Sequence, residues 1–363
     1  MRRCVIGAGL AGTLLAWRLK AAAPRDEICL YTGDPAAADA TAASGGLVRA
    51  YEPDPAAARP AADSLAELRA SAVLRDWADY REIGSVYVRA APVESAPPYA
   101  HGMPVEGAPL ESLPPGAELV TGTALARLGI HGVPREAIAV VERRAGHISP
   151  HRLRLMALED FRRRGGEVVA RVVERIGEHG DHAEIVVDGR RHPFDLAVVA
   201  AGPWTPALLS RSGLAGPGVR TKRIQYQIYE VSGRRPPPFV DETTGLYGRP
   251  SGRHGLLLGV PSEDWDLDAG ALPVSLSACR DTEGAARLRL RELRLLRRVR
   301  TTAVCDAYTD ARLLRLAPLG RCLHTFTGGS GGAAKLALAA SGEAAGRLLA
   351  GPLTLAATSR TEP

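Results

Sequence analysis

Three glycines near the amino terminus carry the clearest chemical signal in the chain. Gly7, Gly9 and Gly12 follow a short apolar run and open a helical pattern, with Ala11 between the last two. In a strand-turn-helix unit with this spacing, the first glycine makes a tight turn, the second lets the backbone approach a pyrophosphate, and the third lets helix and strand pack closely. The spacing therefore predicts a dinucleotide-binding turn; the alternative is a glycine-rich turn without a ligand.

The position expected to hold the ribose of such a ligand carries a threonine. An acidic residue normally lies about 20 residues beyond the third glycine, at the end of the second strand. Thr32 occupies that place, and Asp34 follows it closely. The threonine hydroxyl can hydrogen-bond a ribose, and the aspartate could substitute through a shifted loop.

The elements that must position these residues alternate between helix and strand. Ser149 and Pro150 predict the start of a helix that continues to about Arg164, because serine caps a helix and proline fits its first turn. Apolar runs predict three strands, at residues 167–176, 183–187 and 196–200.

Two longer segments have a different pattern. Residues 80–145 are rich in proline and glycine, and residues 216–300 alternate polar and apolar side chains. Such alternation is typical of an antiparallel sheet with one covered face.

We therefore predict an α/β fold with two interleaved domains. A Rossmann-type nucleotide-binding domain is expected from residues 1–80, 145–215 and 305–363. An antiparallel-sheet substrate domain is expected from residues 81–144 and 216–304. The active site should lie between them, at the carboxyl ends of the parallel strands.

Composition excludes several classes of protein. With 363 residues and 45% hydrophobic residues, the chain is expected to be globular rather than disordered. Its net charge of +6 comes almost entirely from arginine, since the only lysines are Lys20, Lys222 and Lys335. The arginines are scattered and aromatic residues make up only 5%, so nucleic-acid binding is not expected.

The cysteines indicate a reducing compartment. They are five in number and form no C-x-x-C pair, which argues against a disulfide framework or a structural metal site. The apolar run near the start is interrupted by glycines and has no signal-peptide cleavage site. Because no stretch has the ~18 apolar residues of a membrane helix, we expect a cytoplasmic protein without a membrane span and without a metal.

Four blocks of sequence occur in a familiar order. They are Gly7 to Gly12 (GAGLAG), Ala43 to Arg49 (ASGGLVR), Val198 to Trp204 (VVAAGPW) and Gly328 to Lys335 (GGSGGAAK). In these blocks the chain resembles, over nearly its whole length, the D-amino-acid oxidase superfamily of FAD enzymes, and most closely its monomeric sarcosine oxidase branch. The resemblance implies that FAD is the cofactor.

The resemblance also implies a set of FAD-binding residues. They are Gly7, Gly9, Ala11, Gly12, Thr32, Ser44, Gly45, Arg49, Val173, Gly202, Trp204, Cys305, Gly328, Gly329, Ser330, Gly331, Gly332 and Lys335.

Three of the implied site residues would contact substrate. Arg49 and Lys335 fall on the family's arginine and lysine that pair with a substrate carboxylate. A guanidinium and an ammonium around one carboxylate make charge-assisted hydrogen bonds that orient the substrate. Tyr247 falls on the substrate-domain strand that carries an active-site tyrosine, with a sheet-packing tyrosine as the alternative.

Cys305 could join the cofactor covalently. It lies in a segment similar to the Cys-x-Tyr-Thr whose cysteine is bonded to FAD in the sarcosine oxidase branch, but one extra residue precedes Tyr308. A covalent bond to FAD and a buried, unreactive thiol are therefore both left open.

Leu257 marks a departure from the branch. Sarcosine oxidases carry at the matching position a lysine that activates oxygen, by stabilising a developing anion. Either another cation such as Lys222 or Arg249 substitutes, or oxygen is not the electron acceptor. His254 lies on a turn near the expected site, and we expect it to be structural.

The function indicated by these residues is oxidation of an amine or amino acid at its C–N bond to an imine, with a carboxylate-bearing secondary or cyclic amine favoured. The partners would be that small molecule and oxygen or another electron acceptor. Alternatives are an FAD-dependent dehydrogenase or monooxygenase acting on a specialised metabolite, and a flavin-binding subunit without catalytic activity.

Overall fold

A computed structural model describes residues 1–33, 39–89 and 113–351. The strands in these ranges are β1 Arg2–Ile6, β2 Glu27–Thr32, β3 Leu47–Val48, β4 Arg81–Glu82, β5 Ser85–Arg89, β6 Ala117–Thr121, β7 Ile138–Glu142, β8 Gly146–His147, β9 Glu167–Ala170, β10 Val173–His179, β11 His182–Val187, β12 Arg190–Phe194, β13 Leu196–Val199, β14 Arg220–Ser232, β15 Phe239–Asp241, β16 Tyr247–Ser251, β17 Gly255–Gly259, β18 Arg294–Tyr308, β19 Arg315–Pro318 and β20 Leu323–Thr327. The helices are α1 Leu10–Ala22, α2 Pro55–Ala70, α3 Ala72–Trp77, α4 Gly122–Leu125, α5 Pro150–Arg163, α6 Thr205–Arg211, α7 Leu276–Arg289 and α8 Ala333–Leu349.

A six-stranded sheet forms the nucleotide-binding half of the structure. Its strand order is β19-β20-β13-β1-β2-β9, and all neighbours are parallel except β19 and β20. Both faces are covered, which explains why its inner strands read as continuous apolar runs. Helices α1, α2, α5 and α8 pack on one face. Helix α6 and the antiparallel strands β10, β11 and β12 pack on the other.

The predicted helix start at Ser149 is confirmed. The Ser149 hydroxyl accepts a hydrogen bond from the Arg152 amide at 3.3 Å, and Pro150 is the first residue of α5. The strand predicted at residues 167–176 is instead two strands, β9 and β10, in different sheets. The chain turns between them at Arg171 and Val172, and Arg171 is the polar residue that interrupts the apolar run there.

An eight-stranded sheet forms the other half. Its order is β18-β14-β17-β16-β15-β5-β7-β6. One face packs on α7 through an apolar cluster that includes Phe239, Leu256 and Leu258. The long edge strand β18 continues through Cys305 to Tyr308, so it extends past the predicted domain boundary into the region between the two sheets.

Within the described residues, no helix is both long enough and apolar enough to cross a membrane.

Candidate active site

A large cavity lies between the two sheets. It has a volume of about 1890 Å³ and is lined by residues that directly follow four parallel strands: Gly7 after β1, Gly33 after β2, Ala200 after β13 and Gly328 after β20. The carboxyl ends of parallel strands are where α/β folds bind ligands. Pockets for small molecules usually occupy ~300–1,000 Å³, so this cavity has room for a dinucleotide together with a second molecule.

The glycine turn has the geometry that its spacing predicts. Gly7 has a φ of +113°, and a Cβ there would lie 2.4 Å from the Ala200 carbonyl oxygen. A Cβ on Gly12 would lie 1.9 Å from the Gly7 carbonyl oxygen. Gly7 therefore permits the turn, and Gly12 permits the close packing of α1 on the strand.

The amino terminus of α1 faces the cavity at Gly9 and Leu10. The Leu10 amide donates to the Thr41 hydroxyl at 2.9 Å, and a Cβ on Gly9 would lie 3.4 Å from that same hydroxyl. Thr41 was not among the candidates from the sequence. Its place two residues before the block Ala43 to Arg49 is the sequence feature that could have indicated it. The helix terminus and its positive dipole end are available to an anion such as a pyrophosphate.

Thr32, which we expect to hold the ribose, lines the cavity, and so do the predicted FAD-binding residues Val173, Gly202 and Trp204. Asp34, the alternative ribose ligand, lies outside the described residues.

Most of the predicted site residues come together at this one cavity. Those that line it are Gly7, Gly9, Ala11, Thr32, Ser44, Gly45, Arg49, Val173, Gly202, Trp204, Tyr247, Gly328, Gly329, Ser330, Gly331, Gly332 and Lys335. Gly12 lies behind the turn, where it acts through packing. Cys305 also does not line the cavity.

Arg49 and Lys335 meet at a carboxylate that the sequence did not single out. The Glu52 Oε1 atom lies 2.8 Å from Arg49 Nη2 and 2.6 Å from Lys335 Nζ. All three side chains line the cavity. Glu52 follows Arg49 by three residues, and the fold brings Lys335 to the same oxygen from the start of α8.

The environment of Lys335 lowers the pKa of its ammonium group. Burial, and then the positive charge of Arg49, lower the pKa of Lys335 to about 8, while Glu52 acts in the opposite direction. Arg49 is further fixed by a hydrogen bond from Nε to the Tyr51 carbonyl oxygen at 2.9 Å and by stacking over the Tyr87 ring at 4.6 Å.

Tyr247 lies on the cavity wall supplied by the eight-stranded sheet. Its hydroxyl donates to the Gln225 carbonyl oxygen at 3.1 Å. Burial raises the pKa of Tyr247 above its ordinary value, so the phenol stays protonated. Tyr226 and Tyr308 line the cavity beside it, which gives this wall an aromatic character.

The two candidate oxygen-activating cations, Arg249 and Lys222, have different positions relative to the cavity. Leu257 is 1% exposed, and Arg249 lies directly opposite it on the neighbouring strand. The Arg249 guanidinium donates to the Gly45 and Pro250 carbonyl oxygens and does not line the cavity. Lys222 does line the cavity, but its ammonium pairs with Glu263 at 3.2 Å.

Lys222 also packs on aromatic rings, 4.4 Å from the Trp265 ring centroid and 5.5 Å from that of Tyr308. Burial lowers its pKa. His254 lies on an exposed turn between β16 and β17, away from the cavity lining.

The glycine-rich loop of residues 328–332 needs its glycines. Gly328, Gly329 and Gly331 have φ values of +100°, +90° and +78°. The Ser330 hydroxyl ties the loop to the end of β18, through the Thr309 amide at 3.2 Å. Side chains other than glycine rarely adopt such backbone angles, and the loop lies along the cavity directly before α8.

These observations fit a bound dinucleotide, with FAD as the cofactor that the sequence implies. The turn at Gly7, the exposed start of α1 and a loop of glycines offer backbone groups to a phosphate and to a flat ring system. The fold and the cavity thus define a dinucleotide-dependent enzyme. More specifically, the chain belongs to the FAD dependent oxidoreductase (DAO) family, whose model matches residues 2–347.

Solved structures of similar fold come from several organisms. An L-proline dehydrogenase from P. horikoshii superimposes with a TM-score of 0.78 at 14% identity, covering 98% of this chain and 94% of that one. An iminodiacetate oxidase from Chelativorans sp. BNC1 has a TM-score of 0.73 at 18% identity, with 100% and 99% covered. A glycine oxidase from Bacillus cereus has a TM-score of 0.71 at 17% identity, with 99% of each chain covered.

No curated protein matches the chain by sequence. At these identities the structural likeness establishes the fold, and the family match establishes an FAD-dependent oxidoreductase.

Proposed function

We propose that the enzyme oxidises the C–N bond of a carboxylate-bearing secondary or cyclic amine to an imine, and that Arg49 and Lys335 bind the substrate carboxylate. The observation that carries the proposal is the meeting of these two cations on one carboxylate oxygen inside the cavity. Because the pair already contacts the carboxylate of Glu52, a substrate carboxylate is a group that it can hold.

The charge balance of the three residues supports an anionic substrate. Among these three side chains two cations share one anion, so the three together keep a net charge of +1 below the pKa of Lys335. The nearby Glu142 carboxylate accepts hydrogen bonds from the Ala50 and Tyr51 amides instead of pairing with either cation. A buried excess charge favours a ligand that neutralises it. One carboxylate is enough to do so, whereas an uncharged amine would leave the excess in place.

The chemistry divides between cofactor and protein. FAD, when bound, accepts two electrons as a hydride from the carbon next to the amine nitrogen. The substrate would lose that hydride from carbon and release the N–H proton of the neutral amine to solvent, so that a C=N bond would form. Arg49 and Lys335 hold the carboxylate, while Tyr247 and its aromatic neighbours enclose the rest of the molecule and exclude water.

Among the solved structures of the same fold, one is a proline dehydrogenase and one an iminodiacetate oxidase. Proline is a cyclic secondary amine with a carboxylate, and iminodiacetate is a secondary amine with two. These names agree with the substrate class proposed for this chain.

The electron acceptor in this proposal is not oxygen. Leu257 supplies no charge, and the one lysine on that side of the cavity, Lys222, has its charge balanced by Glu263. Lys222 and Glu263 form a pair with no net charge, so Lys222 stabilises a further anion only weakly, whereas Arg49 and Lys335 are two cations that share one carboxylate. We therefore propose a dehydrogenase, whose reduced FAD is reoxidised by another acceptor.

Matched substrates test the proposal. Holoenzyme is mixed without oxygen with L-proline or N-methylglycine, and in parallel with the corresponding amides, and loss of the FAD absorbance near 450 nm is followed. The acids should bleach the cofactor at least ~100-fold faster than the amides, because only they carry the charge that Arg49 and Lys335 bind. Equal rates for acid and amide would contradict the carboxylate assignment.

The same experiment separates an enzyme from a silent flavin-binding subunit. If dithionite bleaches the cofactor but no member of a broad panel of N-methyl and cyclic amino acids does, the proposal of amine oxidation is wrong, although FAD binding stands.

A further inference from the structure

The strand β18 presents two neighbouring residues to opposite sides. The Cys305 thiol lies 3.7 Å from the Leu267 carbonyl oxygen and is 1% exposed, outside the cavity lining. Asp306 lines the cavity. Because successive side chains of a strand point to opposite faces, the two cannot both reach a ligand in the cavity.

Backbone groups hold the Asp306 carboxylate in place. Its Oδ1 atom accepts from the Ala307 amide at 2.8 Å, and its Oδ2 atom accepts from the Gly331 amide at 3.2 Å. Among the described residues, no lysine, arginine or histidine forms an ion pair with it. The half-buried carboxylate is therefore fixed against the glycine-rich loop. Lys222 lies opposite it on β14, but the ammonium of Lys222 pairs with Glu263 instead.

The position of Asp306 relative to FAD follows from the ends of the cavity. A dinucleotide places its pyrophosphate at the start of α1 and its adenosine at the end of β2, near Thr32. The other half of FAD must then extend away from Thr32, and Asp306 lines the same cavity beside Gly331 of the glycine-rich loop. That half ends in the isoalloxazine, the part that accepts electrons.

We propose that Asp306, and not Cys305, is the residue that β18 presents to the isoalloxazine of FAD. In this arrangement FAD is held without a bond to the cysteine, and the Asp306 carboxylate disfavours the reduced cofactor and so lowers its midpoint potential. The inference rests on FAD binding and not on the substrate assigned above.

The physical reason is electrostatic. FAD gains negative charge when it is reduced, and a carboxylate beside it opposes that gain in a site of low dielectric constant. Burial raises the pKa of Asp306 to about 6, and the two backbone hydrogen bonds limit the rise. The carboxylate is therefore charged at pH 8 and largely neutral at pH 5, so its effect should fade as the pH is lowered.

Other ionisable groups near Asp306 must be considered in reading that pH dependence. From β18 itself, from the facing strand β14, from the loop after β17 and from the adjoining segments, they are Cys305, Tyr308, Arg312, Lys222, Glu263, Tyr247 and Lys335. Between pH 5 and 7, the window in which Asp306 titrates, the lysines and the tyrosines keep their protons.

The main test is the midpoint potential of Asp306→Asn, measured with a redox dye and FAD absorbance. Asparagine keeps the shape and one acceptor oxygen but removes the charge. At pH 7, where Lys335 is still protonated, the variant should bind reduced relative to oxidised FAD about tenfold better than the wild type, which for a two-electron couple equals a rise of about 30 mV. At pH 5 the two proteins should have similar potentials.

Asp310→Asn is the matched control. Asp310 is an exposed carboxylate four residues along the chain, and its charge is screened by water and salt. This variant should leave the potential unchanged. An Asp306→Asn protein that binds both forms of FAD more weakly at unchanged potential would overturn the proposal, because it would show that Asp306 acts only by holding the loop.

Acid precipitation tests the absence of a bond to the thiol. The wild type and a Cys305→Ala variant should both release their yellow colour into the supernatant. Flavin that stays in the wild-type pellet but leaves the Cys305→Ala pellet would overturn the inference, independently of any substrate.

Discussion

At the scale of single residues, the proposed site predicts that the charge of Lys335 controls when the cavity accepts an anion. Its pKa of about 8 lies well below that of an exposed lysine, because the side chain is buried beside Arg49. Below that pH the ammonium binds Glu52 or an incoming carboxylate. Above it the amine is neutral, and the net charge that attracts a carboxylate disappears.

The affinity for a carboxylate should therefore fall as the pH rises through about 8. A flat carboxylate without an amine, furan-2-carboxylate, serves as the probe, and its Kd is measured from the change in FAD absorbance between pH 6.5 and 9.5. We expect a constant Kd up to about pH 7.5 and then a weakening that approaches tenfold per pH unit. A Kd that does not change across this range would contradict the role of Lys335.

Replacing Lys335 by methionine should remove a charge-assisted hydrogen bond worth about 1.5–3 kcal/mol. The catalytic efficiency for a carboxylate substrate should fall by about 10–150-fold, with little change for its amide. Lys20→Met is the matched control, since Lys20 is also a buried lysine but bonds to the Pro24 and Asp26 carbonyl oxygens. Loss of the Lys20 ammonium should lower the free energy of unfolding. It should leave unchanged the ratio of the catalytic efficiencies for the acid and the amide.

Glu52→Gln should have the opposite effect on binding. The wild-type carboxylate competes with the ligand for both cations, so its neutral replacement should tighten binding of furan-2-carboxylate at pH 6.5 by about tenfold, or about 1.4 kcal/mol. Because Glu52 also supports the charge of Lys335, the pH at which binding weakens should move below 8. Weaker binding at pH 6.5 would indicate that Glu52 positions the cations rather than competing with the ligand.

At the scale of elements, the contact between α1 and β1 determines whether the pyrophosphate end of the site can form. A methyl group at Gly12 would lie 1.9 Å from the Gly7 carbonyl oxygen and 3.0 Å from the Ala200 Cβ. The Gly7 carbonyl is part of the glycine turn, so it cannot shift unless the turn itself moves.

Gly12→Ala should therefore destabilise the protein by about 3 kcal/mol, at the upper end for overpacking, and weaken FAD binding at least tenfold. Urea unfolding and titration of the apoprotein with FAD measure the two effects. Gly284→Ala provides the control, because that glycine lies in α7 with open space around it. Alanine there should stabilise the helix by about 0.5–1 kcal/mol. Equal behaviour of the two variants would contradict the packing role of Gly12.

Local signals predicted much of this architecture because they act over a few residues. The glycine turn depends on Gly7 and Gly12 within one unit, and the start of α5 depends on Ser149 and its own first turn. The resemblance implied that Arg49 and Lys335 act at one site, but it did not indicate that Glu52 lies between them. Its role depends on contacts between segments that are distant in the chain.

A sequence predicts where a strand lies more readily than it predicts which face of the sheet each side chain occupies. A shift of one residue reverses which side chains point to the core and which to the ligand. The extra residue before Tyr308 left open whether the Cys305 thiol reaches the cofactor or is buried, and the sequence did not single out Asp306. In the structure Asp306 lines the cavity and Cys305 does not.

At the scale of the whole molecule, two sheets meet across one cavity and supply different functions. Glycine turns follow strands of the six-stranded sheet, while Arg49 directly follows β3 and Lys335 lies at the start of α8. The eight-stranded sheet contributes an aromatic wall, and its buried residue Leu257 carries no charge. Reduced enzyme should consequently react slowly with oxygen. After anaerobic bleaching by a substrate, FAD should return to its oxidised spectrum at least ~10-fold more slowly in air than with a small artificial acceptor such as phenazine methosulfate. Rapid recovery in air would contradict the electron-acceptor proposal.

The burial of the lysines has a practical consequence for handling the protein. Lys20 and Lys222 are 6% and 5% exposed, and the Lys335 side chain is 14% exposed within the cavity. An amine-reactive label or cross-linker applied to the folded protein should therefore leave the three lysines largely unmodified. Each lysine that reacts would mark a molecule that has opened, so mass spectrometry of labelled protein would report the unfolded fraction.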